Sequence, residues 1–203
     1  AARSCPATAR RPASLALQLV RLAAVARVRQ AVPMPAETRP RMTIAIVGTV
    51  TVVLYAVWAA AQILVFNPLA AVPGMPLDAI HAEMTAARQW SGPASALIPL
   101  AIGPVLSVGG LVAVLRRPSA DAKPALVFFL SLIALGAPGY FWSSIDSNVG
   151  LADTFAVSGA DYSTWAAPLY ALSLAALIAL VKVGIRSLRR PRATVVRNAG
   201  PAL

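Results

Sequence analysis

Residues 43–66 read TIAIVGTVTVVLYAVWAAAQILVF, 24 positions without a charge. About 20 apolar residues are enough for a helix to cross the hydrocarbon of a bilayer. The run is continuous rather than alternating, so it reads as a membrane helix and not as a barrel strand. Backbone groups in lipid must be bonded within the chain, which a helix does unaided. The pair Asn67-Pro68 reads as its end.

Three further stretches follow the same pattern: Gly92–Leu115, stopped by Arg116-Arg117; Pro124–Trp142, entered through a proline; and Trp165–Val181, with Lys182 at its edge. The whole 203-residue chain is 58% hydrophobic and 12% charged, with a mean hydropathy of +0.71. A soluble domain carries about 25% charged residues, so this composition describes a membrane protein and excludes intrinsic disorder. The expected fold is all-α: a bundle of four transmembrane helices over residues 43–184 with a short outer-loop helix, a basic segment over 1–42 and a basic tail over 185–203.

Charge sets the expected orientation. Residues 1–42 carry eight arginines, 116–123 carry Arg116, Arg117 and Lys123, and 182–203 carry six basic residues; 67–91 carries Arg88 alone and 143–164 carries none. Lys and Arg stay on the cytoplasmic side, which places both termini and the middle connection inside and the two long connections outside. Phe66, Trp90, Trp142 and Trp165 fall at the four outer ends, as an aromatic belt would. The net charge of +11 reads as a cytoplasmic skirt on anionic lipid. Nucleic acid is not expected as a partner, because no soluble domain is left to present a basic patch. Ala-, Val- and Arg-rich usage resembles that of a high-GC bacterium, and the expected location is the bacterial plasma membrane.

Residues 1–36 hold no acid. They read as extra or disordered sequence, with a surface-lying basic helix or an Arg-rich targeting segment as alternatives. Met42 stands directly before the first span, where a natural start or processing is plausible.

The chemistry is bounded by what is scarce. One cysteine and one histidine exclude a disulfide scaffold, a cysteine-rich zinc site, the HExxH motif and haem held by two histidines of one chain. No acid, base or histidine lies within a span as drawn, which argues against carboxylate-driven transport, an intramembrane aspartyl or Ser–His protease, and a Glu-based drug exporter. No cofactor or metal is expected, and no catalytic group. Thr51, Tyr55, Trp58 and Gln62 share one helix face, either a ligand wall or a packing face with Gln62 bonded to a neighbour. Pro99, Gly103 and Ser107 recur every four residues in the second span and form a small-residue face for close helix packing. Gly136–Tyr140 breaks the third span near its outer face. Trp58, Gln62, Tyr140 and Tyr170 share one depth, which suggests either a shallow outward pocket or an ordinary aromatic belt.

In the outer connections, Asp78 is placed to cap a short helix. Ile80, Met84 and Ala87 form its apolar stripe, and Asp78 with His81 are too few for a metal. Residues 143–164 read as an adaptable loop whose Asp146, Asn148 and Asp153 fail the calcium-loop pattern at Gly150. Two functions fit: a non-enzymatic accessory or envelope-complex subunit, with a membrane-protein partner or a homo-oligomer, and a small carrier or binder of an apolar solute.

Overall fold

The computed structural model describes residues 38–116 and 121–188. The readings of the basic N-terminal segment and of the tail beyond Leu188 lie outside the described residues. Among the described residues all regular structure is helical, and four helices are long and apolar enough to cross a membrane: Pro40–Ala71, Ala94–Arg116, Ala122–Phe155 and Thr164–Leu188. The first is built from α1 (Thr38–Ala61), a wider π turn (Gln62–Phe66) and α2 (Asn67–Ala71). A short helix, α3 (Leu77–Ala86), follows, then α4 (Ala94–Arg116). The third span joins α5 (Ala122–Ala134) to α6 (Gly136–Phe155), and a 3-10 turn (Thr164–Ala166) leads into α7 (Ala167–Leu188). α1 is central, with α4 on one side and α5 on another; α7 packs on α5, and α6 returns to α4. One end of the bundle is covered by α2, α3 and residues 156–163 and is called the capped end. The opposite end carries Arg41, Arg116, Lys123 and Arg186 and is called the basic end.

Asn67-Pro68 does not end the first span. Proline has no N–H to give and its ring crowds the carbonyl four residues back, yet the helix passes through it by widening. Asn67 N–H bonds the Gln62 carbonyl, the i-to-i+5 register of a π turn. The carbonyls that Pro68 cannot serve find side chains instead. Ser147 Oγ donates to Ile63 O at 3.4 Å, and the His81 imidazole bonds Leu64 O. This is how breakers are tolerated inside apolar helices.

The break at Gly136–Tyr140 is real, but it bends the third span rather than ending it. Helix resumes at Gly136 and runs to Phe155, so Asp146 and Asp153 lie on α6 and not in a loop. At the bend the Ser173 hydroxyl of α7 is inserted into the ladder. Ala137 N–H donates to Ser173 Oγ at 3.0 Å, and Ser173 Oγ donates to Ile133 O at 2.9 Å. Those two main-chain groups would bond each other in an unbroken helix. Tyr55 Oη lies 3.2 Å from the same Oγ. Because the single serine proton goes to Ile133, a carbonyl that can only accept, Tyr55 is left as the donor in that pair. The approach requires Gly136: a Cβ there would come within 2.7 Å of Tyr55 Cζ and 3.1 Å of Ser173 Oγ.

Glycines also let the helices touch elsewhere. A Cβ on Gly48 of α1 would overlap the Phe129 ring, and one on Gly110 of α4 would overlap Phe128. In lipid the hydrophobic drive between helices is weak, so such close van der Waals seats carry much of the association. At the basic end the buried Arg41 guanidinium donates to Val114 O in the last turn of α4 at 3.0 Å, a favourable place for a cation at a helix C-terminus. Lys123 reaches Ser187, joining α5 to α7.

At the capped end α3 lies on α6. Ile80 and Met84 are fully buried with Leu151 and Ala71, whereas Ala87 is exposed, so the stripe is shorter than its spacing suggests. Pro76, not Asp78, occupies the cap position; Asp78 sits in the first turn and makes no capping bond. Gly150 is the docking point, since a Cβ there would lie 2.5 Å from Gln89 O and 2.9 Å from Met84 Cε.

Ser173→Ala is expected to lower the stability of the bundle by about 2 kcal/mol, because two buried main-chain groups lose their partner at once. Ser131→Ala, which removes only a local bond to Val127 O, is expected to cost clearly less. Reversible unfolding in mixed micelles measures both, and equal effects would contradict the role given to Ser173.

Candidate functional site

The residues singled out from the sequence divide between a polar cluster and an open apolar cavity. The cluster lies towards the capped end, where α1, α6 and α7 meet. Gln62 and Tyr140 are fully buried. Tyr140 Oη donates to Asp161 Oδ1 at 2.7 Å, and Tyr170 Oη donates to Asp161 Oδ2 at 2.9 Å. The two rings stand edge to face with centroids 5.7 Å apart. Gln62 Nε2 donates to Ser163 O at 3.4 Å, and Gln62 Oε1 has no partner within the protein.

Asn67 holds the neighbouring turn. Its Oδ1 accepts from Tyr162 N at 2.7 Å and Ser163 N at 3.3 Å, while its Nδ2 donates to Asn148 Oδ1 at 3.0 Å and Ala160 O at 3.4 Å. The segment before α7 is therefore pinned to the first span by one amide. Trp58 lies apart from this cluster. It packs with Phe66 and Trp165, with centroid distances of 5.6–6.3 Å among the three rings, and its indole N–H donates to Trp165 O at 3.0 Å.

The cavity is elsewhere, between α1, α4 and the α5–α6 bend. It encloses about 450 Å³, within the range of small-molecule pockets. Tyr55, Pro99, Gly103, Gly136, Gly139 and Trp142 are among its lining residues. So Tyr55, Pro99 and Gly103 share a cavity wall, which Gln62, Tyr140 and Tyr170 do not line. Gly103 approaches α1 only loosely; a Cβ there would lie 3.5 Å from Val52 Cγ1. Ser107, one turn further along, is buried where Thr49 Oγ1 donates to its carbonyl at 3.3 Å. Despite Pro99 and Pro104, α4 is one continuous helix. Trp142 is not at a span end: it sits within the third span, 71% exposed, on the cavity rim.

Side-chain bonds join the helices on either side of the cavity. Towards the capped end, Ser95 Oγ donates to Asp146 Oδ2 at 2.7 Å, and Ser91 donates to the same carboxylate through its N–H and its hydroxyl, both at 3.1 Å. Ser95 is one turn from Pro99 on α4 and Asp146 one turn from Trp142 on α6, so this lacing joins the two helices one turn beyond the residues that line the cavity. Towards the basic end, the Gly110–Phe128 seat and the Thr49–Ser107 bond hold α4 to its neighbours beyond the lining residues. What remains open is the side, where Ile102, Leu106, Leu135 and Trp142 are all exposed.

No group of three or more metal-ligating side chains occurs among the described residues. His81 is stacked on Trp90 with centroids 4.5 Å apart, away from both features. Asp146, Ser91 and Ser95 form a bonded group near the cavity that the sequence does not single out. Their signal is the i-to-i+4 relation of Asp146 to Trp142, which carries meaning only once residues 143–155 are known to be helical. No protein-family model matches the chain, and neither a curated protein nor a solved structure matches it.

His81 lies outside the spans, and burial holds its pKa below the ordinary value of 6.5. Its Nε2 is a buried nitrogen without a hydrogen-bond partner. A proton added there would be desolvated. Between the lowered folded value and 6.5 the unfolded chain binds more protons than the folded one, so stability rises with pH in that window. The protection factors of the α3 amides, which divide out the intrinsic pH dependence of exchange, are expected to be constant above this window and to fall as the pH falls through it. His81→Gln is expected to flatten the response. An acid-stabilised α3 would contradict the assignment.

Proposed function

We propose that this chain is a non-enzymatic, multi-pass membrane protein that binds an apolar solute drawn from the bilayer. The supporting observation is the lateral cavity of about 450 Å³, walled by apolar side chains and by glycines and prolines that leave room between helices. For a ligand already in the bilayer the gain comes from van der Waals fit to the pocket rather than from leaving water, and few polar groups are required. The hydroxyl nearest the wall, Tyr55, is engaged with Ser173. The proposed setting is a bacterial plasma membrane with both termini cytoplasmic, which the Lys and Arg distribution supports, and anionic lipid at the basic end.

A second reading, an accessory subunit of a membrane complex, is favoured by one feature. Only 6% of the apolar window of α4 is buried inside the bundle, against 17–28% for the other spans, so α4 has most surface left for a partner helix. Native mass spectrometry after mild extraction from the source membrane separates the two. Binding predicts a retained small molecule, lost in Gly139→Leu. That position lines the cavity, a Cβ there would meet no other atom within 4 Å, and leucine suits a helix better than glycine. A stoichiometric second protein with no retained small molecule would overturn the binding reading in favour of the subunit.

A further inference from the structure

A carboxylate stands one helical turn beyond the cavity rim. Asp146 accepts three hydrogen bonds, from Ser91 N, Ser91 Oγ and Ser95 Oγ, where an ionised carboxylate has about four acceptor positions. It is partly exposed, and among the described residues it has no cationic partner. All three donors are neutral, so no cation offsets the carboxylate here. Asp146 and Trp142 lie four residues apart on α6 and so share one face. Thus a fixed negative charge stands one helical turn beyond an apolar cavity that opens sideways.

Resting on the binding reading, we propose that the occupant is a membrane lipid with an ammonium-bearing head: its acyl chain fills the cavity and its ammonium group meets Asp146 one turn beyond it. The lateral opening admits a chain lying along the bundle. The Ser95–Asp146 lacing joins α4 to α6 on the capped-end side of that cavity. The free acceptor position of Asp146 takes an N–H of the ammonium group, a charge-assisted bond shorter and stronger than a neutral one. A lipid with a net negative head meets Coulomb repulsion at the same place and gains nothing from the chain that its zwitterionic counterpart does not also gain. The discrimination therefore resides in the head, while the fit of the chain to the cavity is common to both lipids.

Quenching of Trp142 by brominated acyl chains tests this with the full chain in nanodiscs. The bilayer is phosphatidylcholine with a minor fraction of brominated-chain phosphatidylethanolamine or, separately, phosphatidylglycerol. The Trp142 contribution is the difference between the protein and Trp142→Phe. The expected result is a preference for phosphatidylethanolamine of about threefold, the scale of a partly exposed ion pair. Asp146→Asn is expected to abolish the preference. Ser95→Ala, which keeps the carboxylate and loosens only the lacing, is expected to retain it, and it covers the case in which Asp146→Asn does not fold. Gly139→Leu is expected to reduce quenching by both lipids. Equal quenching by the two heads that Gly139→Leu reduces would overturn the head assignment and leave the apolar binding site standing. Quenching that Gly139→Leu does not change would overturn both.

Discussion

A main-chain carbonyl without a donor is costly in an apolar helix, and this chain meets that cost with side chains at two breaks, Pro68 and the α5–α6 bend. Pro68 would end a helix in water. Here the chain has no water to turn to, and the helix widens to a π turn while Ser147 and His81 bond the carbonyls left over. Pro138 sits in the first turn of α6, just past a bend at which Ser173 bridges Ile133 and Ala137. Each repair recruits a side chain from a distant span, so satisfying the backbone also fixes which helices meet. α6 is tied to the first span through Ser147, α7 to the α5–α6 bend through Ser173, and α3 to the π turn through His81.

The same constraint accounts for the separation of the polar and apolar features. Polar side chains inside the bundle are almost all committed to one another or to the backbone. Asn67 makes four bonds and Ser173 three, and the Asp161 carboxylate is shared by two tyrosines. Such a cluster is stabilised by its mutual bonds, and apart from Gln62 Oε1 it leaves few polar atoms for a ligand. The cavity forms beside it, where Pro99, Gly103 and the bend at Gly136 keep side chains out. Its wall can stay dry without penalty, since Tyr55, its one inward phenol, already has a partner. Asp146 stands at the border between the two regimes, bonded but not neutralised.

Much of the fold was legible in the sequence because the signal for a span is summed over many residues. The four apolar stretches, and the entry of the first and third near Met42 and Pro124, needed no tertiary knowledge. What failed was local. Asn67-Pro68 and Gly136–Tyr140 carry strong helix-ending chemistry, and the groups that override it lie at Ser147, His81 and Ser173, beyond any local window. That error moved Asp146 from a helix to a loop and so hid its relation to Trp142. Tyr55, Gln62, Tyr140 and Tyr170 are notable residues, as their types suggested, but depth along a span says nothing about which face two helices share. A cavity is harder still to read, because it is made by the side chains that glycine and proline lack.

The central claim is that the space beside Gly139 belongs to the hydrocarbon and not to water. Collisional accessibility of a nitroxide at residue 139 measures this directly, with Cys5, the single cysteine, replaced by serine. The account predicts that dissolved oxygen relaxes the label strongly and that a water-soluble nickel chelate does not. Strong relaxation by the chelate would contradict it, because a water-filled crevice at that position would leave an apolar chain no dry wall to bind.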